Sequence, residues 1–367
     1  VIGSTTALTG LYDVALLDLD GVIYIGEQPV AQAPAALAAA RRDGMRLAFV
    51  TNNASRTPDQ VARLLSRMGV AAAPEEVVTS SHAAAHYLAD RLPAGGAVLV
   101  LGTDGLVQAL KERGLTPVFS ADDEPLAVAQ GYSPELNWHA LAEGAVAIRR
   151  GAMYVATNLD STVPSARGPL PGNGALVAAL VHATGVRPTA TGKPDPTMHA
   201  ESVQRSKAQR PLVVGDRLDT DIEGARRVGC PSLLVLTGVT DARQVLAAGE
   251  LHRPDYLGHD LSALLTSHPD VSVDAGVVRC GRARVEYDAD GLSLRLRDTG
   301  DGGTADHADG DGLDPLRALA VAAWRRADEK SGTAGSIAGE ETAEVTISAG
   351  DDAAKTFLSE HALMPIR

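Results

Sequence analysis

Continuous apolar runs alternate with Ala-rich helical stretches over about the first 265 residues of the chain. VALLD (14–18) reads as a strand, and PVAQAPAALAAARRDG (29–44) has helical spacing with a stop at Gly44. RLAFVT (46–51) is the next strand. TPDQVARLLSRMG (57–69) is the next helix, with Thr57 as N-cap and Pro58 in the first turn. AVLVLG (97–102), AMYVATN (152–158), PLVVGD (211–216) and PSLLVLTG (231–238) extend the series. These runs do not alternate apolar with polar residues, so the strands are expected to be buried on both faces. That predicts an α/β fold with a parallel sheet and helices on each side.

The pattern changes after about residue 270. GVVRCGRARVEYDADGLSLRLRD (276–298) predicts two strands around the turn DADG. DTGDGGTADHADGDGLD (298–314) is Gly/Asp-rich and reads as a mobile loop. DPLRALAVAAWRRADEK (314–330) predicts an amphipathic helix with Asp314 as N-cap, Pro315 at N1 and an apolar stripe of Leu316, Leu319, Val321 and Trp324. AEVTIS (343–348) predicts a short strand. The tail is therefore expected to be a small α+β unit of about three strands and one helix, marginal alone, docked on the core or on a second subunit, and regulatory or structural rather than catalytic.

Composition narrows the class. The chain has 367 residues, enough for two or three domains, and aromatics are only 3%, so its cores are built from Ala, Val and Leu. A net charge of −13 argues against nonspecific nucleic-acid binding. Cys230 and Cys280 are the only cysteines, so two buried, reduced thiols are expected rather than a disulfide framework. No apolar run is long enough to predict a membrane span, and VIGSTTALTG does not resemble a signal peptide. The expected location is the cytoplasm. A homo-oligomer is compatible with the sequence.

Chemistry concentrates at three strand ends. The first carries Asp18 and Asp20, the second Thr51, Asn52 and Asn53, and the third Asp216, Asp219 and Asp221. Ligands of parallel sheets bind outside such carboxyl ends. Between the second and third lies TGKPDP (191–196), whose Lys193 is one of only five lysines. Asp18, Asp20 and Asp216 are expected to converge on one hard cation, since carboxylate and carbonyl oxygens suit Mg²⁺. In an extended segment residues i and i+2 share a side, which would bring Asp18 and Asp20 together. One carboxylate would then be free to attack phosphorus. Alone, each motif is an ordinary turn or helix cap. Their joint occurrence, in this order and each after a strand, is specific.

DLDGV, TNN, GKP and GDRLDTD resemble the four motifs of the haloacid dehalogenase superfamily of phosphohydrolases, over roughly residues 10–265. The resemblance implies a Rossmann-like catalytic core at 1–53 and 193–267. It implies a class-IIA α/β cap inserted at 54–192, and leaves residues 268–367 as a C-terminal α+β domain. YVATNLDSTVPSARGPLPGNGALVAAL (154–180) is similar to that cap's return segment. The resemblance also implies roles. Asp18 would be the nucleophile and a Mg²⁺ ligand. Asp20 would be the acid/base, its carbonyl binding the metal. Thr51 and Asn52 would hold the phosphoryl group, with Asn53 beside them. Lys193 would hold phosphate and balance the carboxylates. Asp216 would be a metal ligand, with Asp221 supporting it. Asn158, Asp160 and Arg167 are candidates to contact the substrate from the cap, or equally to cap helices.

The tail adds a second resemblance, to the glycerol 3-phosphate phosphatases of high-GC bacteria, whose extension is similar to an acetyltransferase-like fold. No Arg-x-x-Gly-x-Gly/Ala loop for coenzyme A follows residue 270, which argues against acetyl transfer. The expected activity is Mg²⁺-dependent hydrolysis of a small phosphate ester, foremost glycerol 3-phosphate. Phosphoglycolate, pyridoxal phosphate or a nucleotide are the alternatives. A bifunctional acetyltransferase and a catalytically idle sensor are the competing classes, the second opposed by the intact motifs.

Overall fold

The computed structural model describes residues 1–26, 28–163, 167–287, 291–296, 311–333 and 346–363. Six parallel strands form the first sheet, in the order Tyr256–Gly258, Ser232–Val235, Pro211–Gly215, Val14–Leu17, Arg46–Thr51, Val77–Thr79. The central strand VALL is fully buried. Its alternate side chains feed two cores: Ala15 and Leu17 join Phe49, Leu212 and Val214 on one face, and Val14 and Leu16 join Ala48, Val50 and Met198 on the other. Register sets Leu17 between Val214 and Phe49, so the chain leaves the sheet at neighbouring points after all three strands. The helix Pro58–Arg67 starts with a full capping box: Thr57 and Gln60 each satisfy the other's backbone N–H.

A second, five-stranded parallel sheet has the order Thr189–Ala190, Met153–Ala156, Ala127–Gln130, Ala97–Leu101, Thr116–Val118. The expected insertion, 54–192, holds this whole sheet and also the strand Val77–Thr79, which belongs to the first sheet. Val77–Thr79 pairs with Arg46–Thr51 in the first sheet, Phe49 opposite Val77 and Thr51 opposite Thr79. Ser80, at the start of the next helix, donates to the Asn52 carbonyl at 2.6 Å. A three-residue apolar segment is too short to identify as a strand from pattern alone. We propose that the insertion begins between Ala89 and Ala97.

The C-terminal unit is larger than expected. Four antiparallel strands, Val271–Asp274, Val277–Cys280, Ala283–Tyr287 and Leu292–Leu296, are extended by Ile347–Ala349, which pairs in parallel with the last of them. GVVRCGRARVEY is thus two strands, folded at Gly281, not one. Helices Asp314–Thr333 and Asp352–Glu360 accompany the sheet. The turn DADG, most of the Gly/Asp-rich loop and the start of AEVTIS lie outside the described residues. Cys280 is buried, Cys230 is only half-buried, and both are free.

This unit docks on the first sheet's edge. Leu316, Leu319 and Trp324 share one apolar cluster with Leu234, Val245, Leu246 and Leu257. Trp324 donates its indole N–H to the Val245 carbonyl at 2.9 Å. Arg317, fully buried, donates to the Leu257 carbonyl at 2.7 Å and bridges Asp311 at 2.6 and 2.7 Å. A buried guanidinium is tolerated because it is paired and hydrogen-bonded. No helix among the described residues is long and apolar enough to cross a membrane.

Candidate active site

The four motifs meet at the carboxyl end of the first sheet. Asp18 continues the strand Val14–Leu17, its N–H donating to Val214 O at 2.9 Å. Lys193, almost fully buried, ion-pairs with Asp18 and with Asp221, the latter at 2.7 Å, and also donates to the Val50 carbonyl at 3.3 Å. Asp18, Asp216 and Asp221 each place a carboxylate oxygen within 4.8 Å of the others.

The three side chains that converge are therefore not the three expected. Asp20 is absent from the cluster. The chain bends at Leu19, just after the last ladder bond at Asp18, so the i, i+2 rule no longer holds at Asp20. Gly21 turns there at φ +85°, a conformation that L side chains resist. The Asp20 carboxylate instead takes the Tyr24 hydroxyl at 3.4 Å, at the rim of the site. It reaches solvent on one side, while protein around the rest of it raises its pKa and the Arg56 charge opposes the rise.

Asp216 is held from one side only. Its Oδ2 accepts the Val239 N–H at 2.7 Å, and its buried Oδ1 has no hydrogen-bond partner. Burial and the neighbouring Asp221 push its pKa up to about 6. Burial also lifts Asp18 well above the carboxylate range, against the pull of Lys193. Burial would lower Lys193, but Asp18 and Asp221 more than offset it and raise its pKa. Glycines make the cluster fit. A Cβ on Gly21 would lie 2.4 Å from Asp216 Oδ2, and one on Gly238 2.0 Å from the same atom.

The second motif does two jobs. Thr51 is buried, and its hydroxyl oxygen accepts the Asn53 N–H at 3.1 Å, leaving its O–H to donate elsewhere. Asn52 binds Lys193 through both ends of its amide: Oδ1 takes the Lys193 N–H at 2.8 Å and Nδ2 donates to the Lys193 carbonyl at 3.1 Å. The Asn53 side-chain oxygen takes the Ser55 N–H at 2.8 Å and hydroxyl at 2.6 Å, so that carbonyl serves the turn.

The return segment reaches the same loop. Asn158 donates to the Asn52 carbonyl at 2.7 Å, and Asp160 lies 3.5 Å from Asn52 Nδ2. Burial raises the Asp160 pKa, with Arg217 opposing. Asn158 thus braces the second motif, and Asp160 stands at the junction. Arg167 is exposed and immediately precedes the Gly168–Pro169 pair that leads to Leu170–Pro171. Sequence reasoning missed Tyr24, Arg56, Arg217 and the Gly238–Val239 loop. Tyr24 and Arg56 are polar side chains outside the motifs, Arg217 lies within GDRLDTD but is not one of its carboxylates, and Val239 acts through its backbone, which no residue identity reveals.

The donor set suits a hard divalent cation. Three carboxylates face a single ammonium, and one buried oxygen lacks any partner. Asp18, Asp216 and the Asp20 carbonyl are the residues that would hold Mg²⁺, and Lys193 takes up Asp221.

A family model of haloacid dehalogenase-like hydrolases matches residues 15–116, and a second, HAD-hydrolase-like, matches 190–264. The chain is 43% identical over 355 residues to D-glycerol 3-phosphate phosphatase of Mycobacterium tuberculosis, covering 96% of this chain and 95% of that protein. It is 37% identical over 236 residues to acid sugar phosphatase of Staphylococcus aureus, covering 64% of this chain and 90% of that one. Among solved structures, glycerol phosphate phosphatase of Mycobacterium tuberculosis in complex with magnesium superposes with a TM-score of 0.84 at 40% identity, over 98% of this chain and 100% of that one. A thermostable NPPase from Geobacillus stearothermophilus gives a TM-score of 0.63 at 35% identity, over 68% of this chain and 97% of that one. The chain belongs to the haloacid dehalogenase-like hydrolases. Within them it is a phosphoric monoester hydrolase.

Proposed function

We propose that the chain hydrolyses glycerol 3-phosphate to glycerol and phosphate, in the cytoplasm, with Mg²⁺. The observation that carries the chemistry is the cluster of Asp18, Asp216 and Asp221 around Lys193. The likeness to the mycobacterial D-glycerol 3-phosphate phosphatase, over almost the whole of both chains, carries the substrate.

Asp18 attacks phosphorus, and its oxygen–phosphorus bond forms as the ester oxygen leaves. Asp20, at the rim beside Tyr24, gives its proton to that oxygen. A water then loses a proton to Asp20 and attacks the aspartyl phosphate, which returns Asp18 and releases phosphate. Thr51 donates its hydroxyl proton to a phosphoryl oxygen, Asn52 fixes the Lys193 backbone, and Lys193 holds negative charge in place. Bound Mg²⁺ would neutralise phosphoryl charge and fix its geometry. The remaining work is positioning and charge stabilisation.

The test is a panel of phosphate monoesters assayed with Mg²⁺ and with EDTA. Glycerol 3-phosphate should give the highest kcat/KM, and EDTA should abolish turnover of every ester. Higher kcat/KM for phosphoglycolate, pyridoxal phosphate or a nucleotide would overturn the substrate. Full activity in EDTA would overturn the metal.

A further inference from the structure

The C-terminal unit touches nothing in the proposed chemistry, yet it is tied to the loop that holds Asp216. That loop runs from the strand Ser232–Val235 to the short helix Ala242–Leu246. It wraps the site closely. Thr237 bonds the Gly21 carbonyl, Val239 N–H donates to Asp216 Oδ2 at 2.7 Å, and Thr240 N–H donates to the Asp216 carbonyl at 3.2 Å. Asp241 then caps the helix: its side chain accepts the Gln244 N–H at 2.8 Å, and its own N–H donates to the Gln244 side-chain oxygen at 2.8 Å.

The far end of the same short helix is gripped by the C-terminal unit. Trp324 donates to the Val245 carbonyl at 2.9 Å. Arg253 joins the grip: it donates to the Ala248 carbonyl at 3.3 Å, pairs with Asp328 at 2.7 and 2.8 Å, and lies over the Trp324 ring at 5.5 Å. Val245 and Leu246 pack in the apolar cluster shared with Leu316, Leu319 and Trp324. The helix is five residues long, too short to hold its place by itself. Besides its apolar packing on Leu234 and Leu257 of the first sheet, it is held by the Asp216 loop and by the C-terminal unit.

We propose that Trp324 is a positioning residue for the metal site: the C-terminal unit, through Trp324 and Val245, fixes the helix whose N-terminal loop aims the Asp216 carboxylate. The Val239 N–H occupies Oδ2 and leaves Oδ1 without a partner, in a carboxylate that brings an oxygen within 4.8 Å of one on Asp18. A helix free to shift at Val245 moves that N–H and widens the carboxylate's range. The unit is thus a strut on cation affinity, not a second catalytic domain. This rests on the reading of Asp216 as a Mg²⁺ ligand.

Trp324→Phe keeps an aromatic ring in the cluster and removes the N–H together with part of the indole's volume. Calorimetry of Mg²⁺ binding to EDTA-stripped full-length protein is the primary readout, with the Mg²⁺ concentration for half-maximal nitrophenyl phosphate hydrolysis beside it. The variant should bind Mg²⁺ about threefold to tenfold more weakly, the worth of one hydrogen bond, with kcat at saturating Mg²⁺ within about twofold of wild type. Asp328→Asn, which loosens Arg253 from outside the cluster, should shift affinity the same way and serves if Trp324→Phe does not fold. Val128→Ala is the control. Val128 is buried in the second sheet, in an apolar cluster that holds neither the short helix nor Trp324, so this change lowers stability without touching the strut, and Mg²⁺ affinity should be unchanged. Affinity unchanged in Trp324→Phe and Asp328→Asn, or weakened equally in Val128→Ala, overturns the inference. Wild-type protein that binds no Mg²⁺ would instead overturn the metal reading beneath it.

Discussion

Lys193 donates to Asp221 at 2.7 Å while also pairing with Asp18, so one buried ammonium serves the proposed nucleophile and the carboxylate behind the metal site. The two carboxylates come from opposite ends of the catalytic sequence and are brought together by a residue between them. Removing that ammonium leaves buried carboxylates unpaired, which costs about 3–5 kcal/mol. Lys193→Met should lower kcat by at least ~10². It should also lower the melting temperature in EDTA, and Mg²⁺ should restore more of it than it adds to wild type, because a cation replaces a cation. Thermal unfolding with and without Mg²⁺ checks this. Equal Mg²⁺ shifts in the two proteins would count against the charge argument.

Asp18→Asn removes the attacking charge and keeps the shape. Turnover should fall by at least ~10³, the scale of a lost covalent step, with the circular dichroism spectrum unchanged. Near-normal hydrolysis by the folded variant would exclude Asp18 as nucleophile.

Asp20 sits apart from the metal cluster, beside Tyr24, where a carboxyl can meet the leaving oxygen. Asp20→Asn should therefore depend on the leaving group. The loss on glycerol 3-phosphate should exceed the loss on nitrophenyl phosphate, whose phenolate leaves with little help. Equal losses would remove the acid/base assignment.

Much of this was legible in the sequence because strands buried on both faces declare themselves as apolar runs. RLAFVT and PLVVG are strands where the pattern put them, and Thr57 caps the helix after the second motif. The polar residues at the strand ends were legible for the same reason: each interrupts an apolar run. Side-chain direction was not legible: Asp20 follows a bend at Leu19, and Asn53 gives its side-chain oxygen to Ser55 two residues away. The strand VVT was not legible either, because it becomes a strand only by pairing with Arg46–Thr51, some 30 residues earlier. The Val239 N–H left no trace at all, since every residue but proline has one.

Two buried histidines set a pH dependence of stability. Burial pushes His82 and His199 down to about 3 from an ordinary 6.5. His82 Nδ1 accepts the Thr79 N–H at 3.1 Å, and neither nitrogen of His199 has a partner. Both stay neutral in the fold, while the unfolded chain protonates them below about pH 6.5. Their contribution is therefore whole above that value and is lost as pH falls toward 3, at up to about 1.4 kcal/mol per pH unit for each. Urea unfolding at pH 7 and pH 5 should show a smaller acid loss in His82→Gln and in His199→Gln than in wild type. An identical loss in all three would mean that neither histidine is excluded from protons by the fold.

Gly238 offers the sharpest steric test of the cation site. Its missing side chain leaves room for Asp216: a Cβ there would stand 2.0 Å from Oδ2, 2.5 Å from Cγ and 2.8 Å from the Asp216 Cβ. No rotamer of alanine avoids this, because the clash is with Cβ itself. Either the carboxylate turns away or the loop from Thr237 to Thr240 moves outward and takes the Val239 N–H with it. Both outcomes spoil the aim of Oδ1, and overpacking of this kind also costs about 1–3 kcal/mol of stability. Gly238→Ala should weaken Mg²⁺ binding by more than about tenfold, one such factor being about 1.4 kcal/mol, and should lose activity in parallel. Gly249→Ala is the matched control, since a Cβ at Gly249 meets nothing within 4 Å. It should leave Mg²⁺ binding and activity unchanged. If Gly238→Ala bound Mg²⁺ like wild type, the loop would be yielding rather than rigid, and a strut on its far end would have nothing to hold.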